Sequence, residues 1–128
     1  MKAIAQNPTP SELEILQVLW SRGPSTVREV HETLSATKQL GYTSVLKLMQ
    51  IMTAKGLVTR SEDQRAHVYE AGEPAEKTKQ HFAEDVLQRV FQGSASELML
   101  HALAGSRSSK EELKELRRLL DEYERKQK

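Results

Sequence analysis

The chain has 128 residues, with 19 lysines and arginines against 18 aspartates and glutamates, four histidines and no cysteine, for a net charge of +1. That length holds one ordinary domain, or a small domain with an appendage, and excludes a large multidomain enzyme. The missing cysteines exclude disulfides, thiolate zinc sites, iron–sulfur clusters and a cysteine nucleophile, and apolar runs such as Val18–Trp20 and Leu98–Leu100 fall far short of the ~20 residues that cross a bilayer.

Met1 to Asn7 lack the apolar core of a secretory signal, so a cytoplasmic location and no membrane insertion are expected. The glycines at 23, 41, 56, 72, 93 and 105 stand singly, which rules out a GxGxxG or Walker loop, and they divide the chain into segments. Thr9-Pro10-Ser11-Glu12 reads as a capping box with proline at the first helical position, followed by Leu13, Leu16, Leu19 and Trp20 at helical spacing. A first helix to about Arg22 follows, stopped by Gly23-Pro24. Thr26 to Glu29 is a second capping box; it opens a short helix carrying Val27, Val30 and Leu34 on one face and ending near Ala36. Thr43 to Lys55 forms a third helix, with Val45, Leu48, Met49 and Met52 turned inward, and Gly56 closes it.

The period then changes. Leu57–Arg60 and Ala66–Tyr69 are short β-prone runs separated by the polar loop Ser61–Arg65, which predicts an antiparallel hairpin. Three helices followed by a hairpin is the order of a winged helix-turn-helix domain. Beyond Gly72 and Pro74 the pattern is helical, over Ala75–Phe91, Ala95–Ala104 and Ser109 to about Lys126, with capping boxes at Ser94–Glu97 and Ser108–Glu111. The expected architecture is therefore mainly α with a small β-hairpin, divided into a winged-helix domain over 1–72 and a helical region over 73–128. The apolar positions Phe82, Val86, Leu98, Leu103, Leu113, Leu116, Leu120 and Tyr123 form seams without a second core of their own. Dimerisation with another copy would bury them, the alternative being that these helices fold back on the first domain.

From Lys38 to Arg60 the chain carries Lys38, Lys47, Lys55 and Arg60 and no acidic residue, a strip suited to phosphates. If the third helix is the recognition helix, its outward set is Thr43, Ser44, Lys47, Gln50 and Ile51, residues that reach phosphates or base edges. Its first N–H groups and dipole attract a phosphate, which places Tyr42, Thr43 and Ser44 against the DNA backbone. Lys47 is the best candidate for a guanine contact, and Thr43 could alternatively serve as the N-cap. At the hairpin tip Arg65 is the leading phosphate contact, with Gln64 and Arg60 behind it, although Glu62 and Asp63 oppose binding there. Four phosphates per protomer would give a salt slope near −7 for a dimer, at roughly −0.9 per contact.

Catalysis is poorly supported. His81 and Asp85 lie four apart on one helix, but no third ligand stands nearby, and no cofactor or metal is called for. His31 and His67 read as rim or core-edge residues. Tyr42, Tyr69 and Trp20 are too dispersed for a base-stacking platform. The rival to DNA binding is an interaction module in which the winged helix is an adaptor.

The segments LEILQVLW, STVREVHETL, GYTSVLKLMQIMTAKGLV, RAHVYEA, FQGSASELMLHAL and SSKEELKELRRLLDE resemble, in order, the BlaI/MecI/CopY family of bacterial penicillinase repressors, over residues 9 to about 122. The resemblance implies a homodimeric winged-helix repressor that binds a palindromic operator in double-stranded DNA and dimerises through its C-terminal helices. It maps recognition-helix contacts onto Thr43, Ser44 and Lys47. Ile51 stands where many members carry a basic residue, and the copper branch's C-terminal cysteine motif is missing. In the β-lactam branch a membrane sensor-protease system triggers cleavage in the penultimate helix. The aligned bond here is His101–Ala102, where those members carry Asn-Phe.

Overall fold

The computed structural model describes residues 7–62, 65–105 and 107–127. In chain order it contains α1 (Pro10–Arg22), α2 (Val27–Ser35), α3 (Tyr42–Lys55), β1 (Val58–Ser61), β2 (Val68–Ala71), α4 (Ala75–Arg89), α5 (Ala95–Ala104) and α6 (Lys110–Lys126). The mainly helical class with one two-stranded antiparallel sheet agrees with the sequence reading.

Both N-terminal capping boxes form. The Thr9 hydroxyl accepts from Glu12 N–H at 3.2 Å while the Glu12 carboxylate accepts from Thr9 N–H at 2.9 Å, and Thr26 and Glu29 repeat the pair at the same distances. Each box satisfies donors that a helix start otherwise leaves unpaired. Ser94 caps α5 as expected, while the α6 cap differs from the expected box. Ser94 and Ser109 supply the hydroxyls, accepting from Glu97 N–H and Glu112 N–H, so the α6 cap lies one residue beyond the expected Ser108.

Helices α1 to α3 close on one core, made by Ile15, Leu16 and Leu19, by Val27, Val30 and Leu34, and by Val45, Met49 and Met52, with Leu57, Val58 and Tyr69 from the hairpin side. Full burial of each such aliphatic side chain is worth about 1.5–3 kcal/mol, and these contacts fix the orientation of α3. Leu48, expected in this core, is only partly buried at its edge.

The hairpin register differs from the sequence expectation. Gly56, at φ 83°, ends α3 in the left-handed conformation, its N–H donating to Thr53 O at 3.1 Å and the next N–H, of Leu57, to Met52 O at 2.9 Å. Leu57 thus spends its donor on the helix end, and β1 begins one residue later. The ladder pairs Val58 with Ala71, Thr59 with Glu70, Arg60 with Tyr69 and Ser61 with Val68, which places β2 two residues further on than expected. Tyr69 also exchanges both backbone hydrogen bonds with Ser25, at 2.8 and 2.9 Å, tying the hairpin to the start of α2. Gly72 lies so close to the end of α3 that a Cβ there would meet Gly56 O at 2.8 Å and Leu57 O at 3.0 Å.

The chain forms two compact units, residues 1–83 and 84–128, where the sequence pattern suggests a division at 72. The first unit extends past the hairpin because Trp20 Nε1 donates to Glu73 O at 3.0 Å and the buried Thr78 hydroxyl donates to the Glu73 carboxylate at 2.9 Å. Helix α4 stops two residues short of the expected Phe91. Gln92, at φ 46°, and Gly93, at φ 85°, turn the chain there, and Gly93 N–H returns to Leu87 O at 2.8 Å. In the second unit neither α5 nor α6 has a buried residue.

Candidate nucleic-acid interface

Helix α3 presents two different sides. Val45, Met49 and Met52 are wholly inaccessible, whereas Tyr42, Thr43, Ser44, Lys47, Gln50 and Ile51 are all exposed. The seven-residue repeat of core positions 45, 49 and 52 is what turns 43, 47 and 50 outward.

The N-cap of α3 is Gly41, with no side chain to bond the first turn, so Thr43 is not the cap. Val45 N–H reaches Gly41 O at 3.2 Å, and no described acceptor meets the N–H groups of Tyr42, Thr43 and Ser44. With no acidic residue in that turn, the partial positive charge of the helix start faces outward uncompensated.

The basic strip looks different once folded. Lys38 pairs with Glu14 at 3.0 Å, Lys55 with Glu12 at 2.9 Å and Arg60 with Glu62 at 2.7 Å. Two of these acids come from α1, remote in sequence from the lysines they neutralise. Lys47 has no ion pair among the described residues. The Lys55 ammonium bonds both Glu12 oxygens, at 2.9 and 3.0 Å, and Glu12 is only 2% exposed, so this sequence-selected contact closes α3 onto α1 instead of facing a ligand. Burial pushes the Glu12 carboxyl up, but Lys55 and the Thr9 donors outweigh it and hold the group below its ordinary value. The hydrogen bond from Glu62 raises the Arg60 guanidinium, with Tyr69 adding to it, and Glu62 itself is lowered in turn by Arg60.

At the wing, Arg65 is exposed and has no ion pair among the described residues. Asp63 and Gln64 lie outside the described residues. His81 and Asp85 turn to different partners, Glu73 at 3.4 Å and Arg89 at 2.6 Å respectively. His31 is half-buried, in keeping with the rim position read from the sequence, but its ring also reaches across the turn between α2 and α3, a contact that no sequence signal shows. Its Nε2 lies 2.8 Å from Leu40 O, and its ring meets that of Tyr42 edge-on at 5.9 Å.

In the second unit, Leu103, Leu120 and Tyr123 are exposed, Tyr123 and Leu120 by 66% each, and Leu98, Leu113 and Leu116 are half-buried. Val90, Met99, Leu100 and Leu119 are exposed as well. Val86 and, in the first unit, Phe82 are also half-buried. The aligned bond His101–Ala102 lies inside α5, with both residues exposed and the His101 ring 5.7 Å from Phe91.

A three-helix core followed by a hairpin, with a polar outer side on the third helix, defines a winged-helix protein of the DNA-binding class. The sequence model of the penicillinase repressor family matches residues 8–122, and the chain belongs to that family, whose members are transcriptional repressors and not enzymes. It is similar to the transcriptional regulator BlaI of Mycobacterium tuberculosis, 36% identical over 115 residues that make up 88% of this chain and 82% of the relative. It is also similar to the penicillinase repressor of Bacillus licheniformis, 25% identical over 128 residues, 100% of this chain and 99% of that one. Among solved structures it resembles the monomeric form of Bacillus licheniformis BlaI in complex with the blaP half-operator, with a TM-score of 0.50 and 25% identity over 59% of this chain and 92% of that chain. No helix among the described residues is long and apolar enough to cross a membrane.

Proposed function

We propose that this chain acts as a homodimer that binds a palindromic promoter operator, represses transcription by occupying it, and is released by a membrane sensor-protease system. The observation that carries DNA binding is the outer side of α3, where Lys47, free of any described carboxylate, stands among Thr43, Ser44 and Gln50 beside an uncapped helix start. Hydroxyls and backbone N–H groups suit phosphate oxygens, while a lysine and an amide suit base edges.

Two recognition helices in successive major grooves stand roughly 34 Å apart, which matches dyad-symmetric half-sites to a two-fold dimer. The exposed apolar residues of α5 and α6 support the dimer, since a surface of that kind is stabilised by a second copy. Proteolytic release rests on family membership and on the exposure of His101 and Ala102 in α5. Cleavage there would divide the surface assigned to dimerisation. A cytoplasmic location follows from the work of a repressor.

Ion pairing lowers the expected salt response. With Lys47 and Arg65 as the unpaired cations of each protomer's interface, a dimer makes about four such contacts, and the salt slope becomes roughly −4 instead of −7. The test is selection of sheared genomic DNA on the purified protein at near-physiological salt, followed by sequencing. Enrichment of a dyad-symmetric promoter site is the expected result. A folded dimer that enriches nothing, and elutes from heparin without salt dependence, would instead be the adaptor that the three neutralised cations favour.

A further inference from the structure

We infer that His31 is a positioning residue that sets the entry of the recognition helix, so that the operator-binding surface depends on a side chain that itself touches no DNA. This rests on the DNA-binding reading above.

Helices α1, α2, α5 and α6 each begin with a threonine or serine whose hydroxyl bonds the first turn, but α3 begins at Gly41 without such a bond. Glycine gives up more conformational freedom on folding than any other residue, so something else must fix the direction in which α3 starts. The turn before it is anchored at its near end, where Thr37 N–H and Lys38 N–H both reach Leu34 O, at 3.1 and 2.8 Å. At its far end the contact comes from His31, nine residues earlier in the chain than Leu40.

A carbonyl oxygen only accepts, so the hydrogen on His31 Nε2 points at Leu40 O, 2.8 Å away. Ser35 Oγ donates its own hydrogen to His31 O at 2.8 Å and lies 3.3 Å from the same nitrogen, so on the α2 side it is only a second, longer acceptor sharing the one Nε2 hydrogen. The ring also meets the Tyr42 ring at 5.9 Å with an interplanar angle of 82°, the edge-to-face geometry that aromatic pairs favour. Leu40 precedes the glycine cap and Tyr42 follows it. One imidazole therefore grips the chain on both sides of Gly41, and with it the exposed N–H groups of Tyr42, Thr43 and Ser44. Leu40 is half-buried against the core and His31 is half-buried as well, so the grip links the core to the interface.

The test uses the full chain with His31→Leu, which keeps apolar bulk but cannot donate, and His31→Gln, which offers a side-chain N–H toward Leu40 O. Amide hydrogen exchange on the DNA-free protein reads the grip directly. Val45 N–H, bonded to Gly41 O, should exchange about tenfold faster in His31→Leu while Met49 and Met52 N–H keep their rates, and His31→Gln should restore most of the protection. On a fragment retained by the unaltered protein, His31→Leu should bind about tenfold more weakly with a salt slope smaller by about one, and His31→Gln within about threefold of the original. Unchanged Val45 exchange in His31→Leu overturns the inference, as does a binding loss that His31→Gln fails to recover. If the unaltered protein retains no DNA, the function reading fails on its own, and the exchange experiment still decides whether His31 positions α3.

Discussion

Lys47→Ala and Lys55→Ala, two truncations in one helix, should have opposite signatures. Lys47 is exposed and unpaired among the described residues, so its removal should leave stability within about 0.5 kcal/mol, as exposed substitutions do. A lysine reading a base is worth about 1–3 kcal/mol per half-site, and two half-sites double this to about 2–6 kcal/mol, a loss of roughly 30-fold to more than 10⁴-fold in operator affinity. Lys55 instead neutralises Glu12, a carboxylate only 2% exposed. Removing the cation strands a buried charge, which costs about 3–5 kcal/mol in a fully buried pair; because Lys55 itself is 24% exposed, about 2–4 kcal/mol is expected here. For a domain of this size each kcal/mol moves the melting midpoint by about 4–8 °C. Fluorescence anisotropy on a selected operator, beside thermal melts of the same samples, separates the two effects. Lys47→Ala that binds within twofold of the original at equal stability would refute the assignment of the outer side of α3. Lys55→Ala that melts normally but loses the operator would show that the buried pair had been read the wrong way round.

The pair also predicts a pH response. Glu12 titrates below its ordinary value of 4.5 in the folded chain, so the unfolded chain binds more protons in acid. Its stabilisation is complete above pH ~4.5 and is lost as pH falls through the lower folded value; urea melts from pH 6 to 3 should show this loss, and Lys55→Met should reduce it. Leu120→Glu should disrupt the dimer, because Leu120 is 66% exposed within one chain and an interface leucine contributes about 1.5–3 kcal/mol from each side. Sedimentation should find a 14.5 kDa monomer, and an undiminished dimer would remove this side of α6 from the interface. Incubation with an activated cognate sensor should cut at His101–Ala102 and yield two fragments on a gel, and an intact chain would contradict release by this route. Gly72→Ala should destabilise the first unit, because its Cβ would stand 2.8 Å from Gly56 O, and an unchanged melt would mean that the hairpin yields freely.

Local signals in the chain are strong where physics acts over three or four residues. Thr9 and Thr26 cap the helices they precede, Gly56 ends α3, and Val45, Met49 and Met52 fall on its inner side. Where a backbone group is claimed by a neighbouring element, local pattern misleads. Leu57 looks like a strand residue, yet its N–H closes the helix before it, and this moves the ladder. The same holds for Ser108 and Ser109, adjacent serines of which either satisfies a capping pattern, with only the second seated on the helix.

Charge was the least legible property. Lys38, Lys55 and Arg60 form an unbroken basic strip in one dimension, while Glu14 and Glu12 reach two of them only after α1 packs beside α2 and α3. Helical periodicity and capping chemistry act between near neighbours, so the sequence by itself determined the order of helices and hairpin, the inner and outer sides of α3 and the family. Electrostatic pairing and the His31 grip on Leu40 join residues that only folding brings together. Tertiary structure therefore decided which cations of the strip are paired among the described residues, that Lys55 bonds a buried carboxylate, and which side chain meets the turn before the uncapped start of α3.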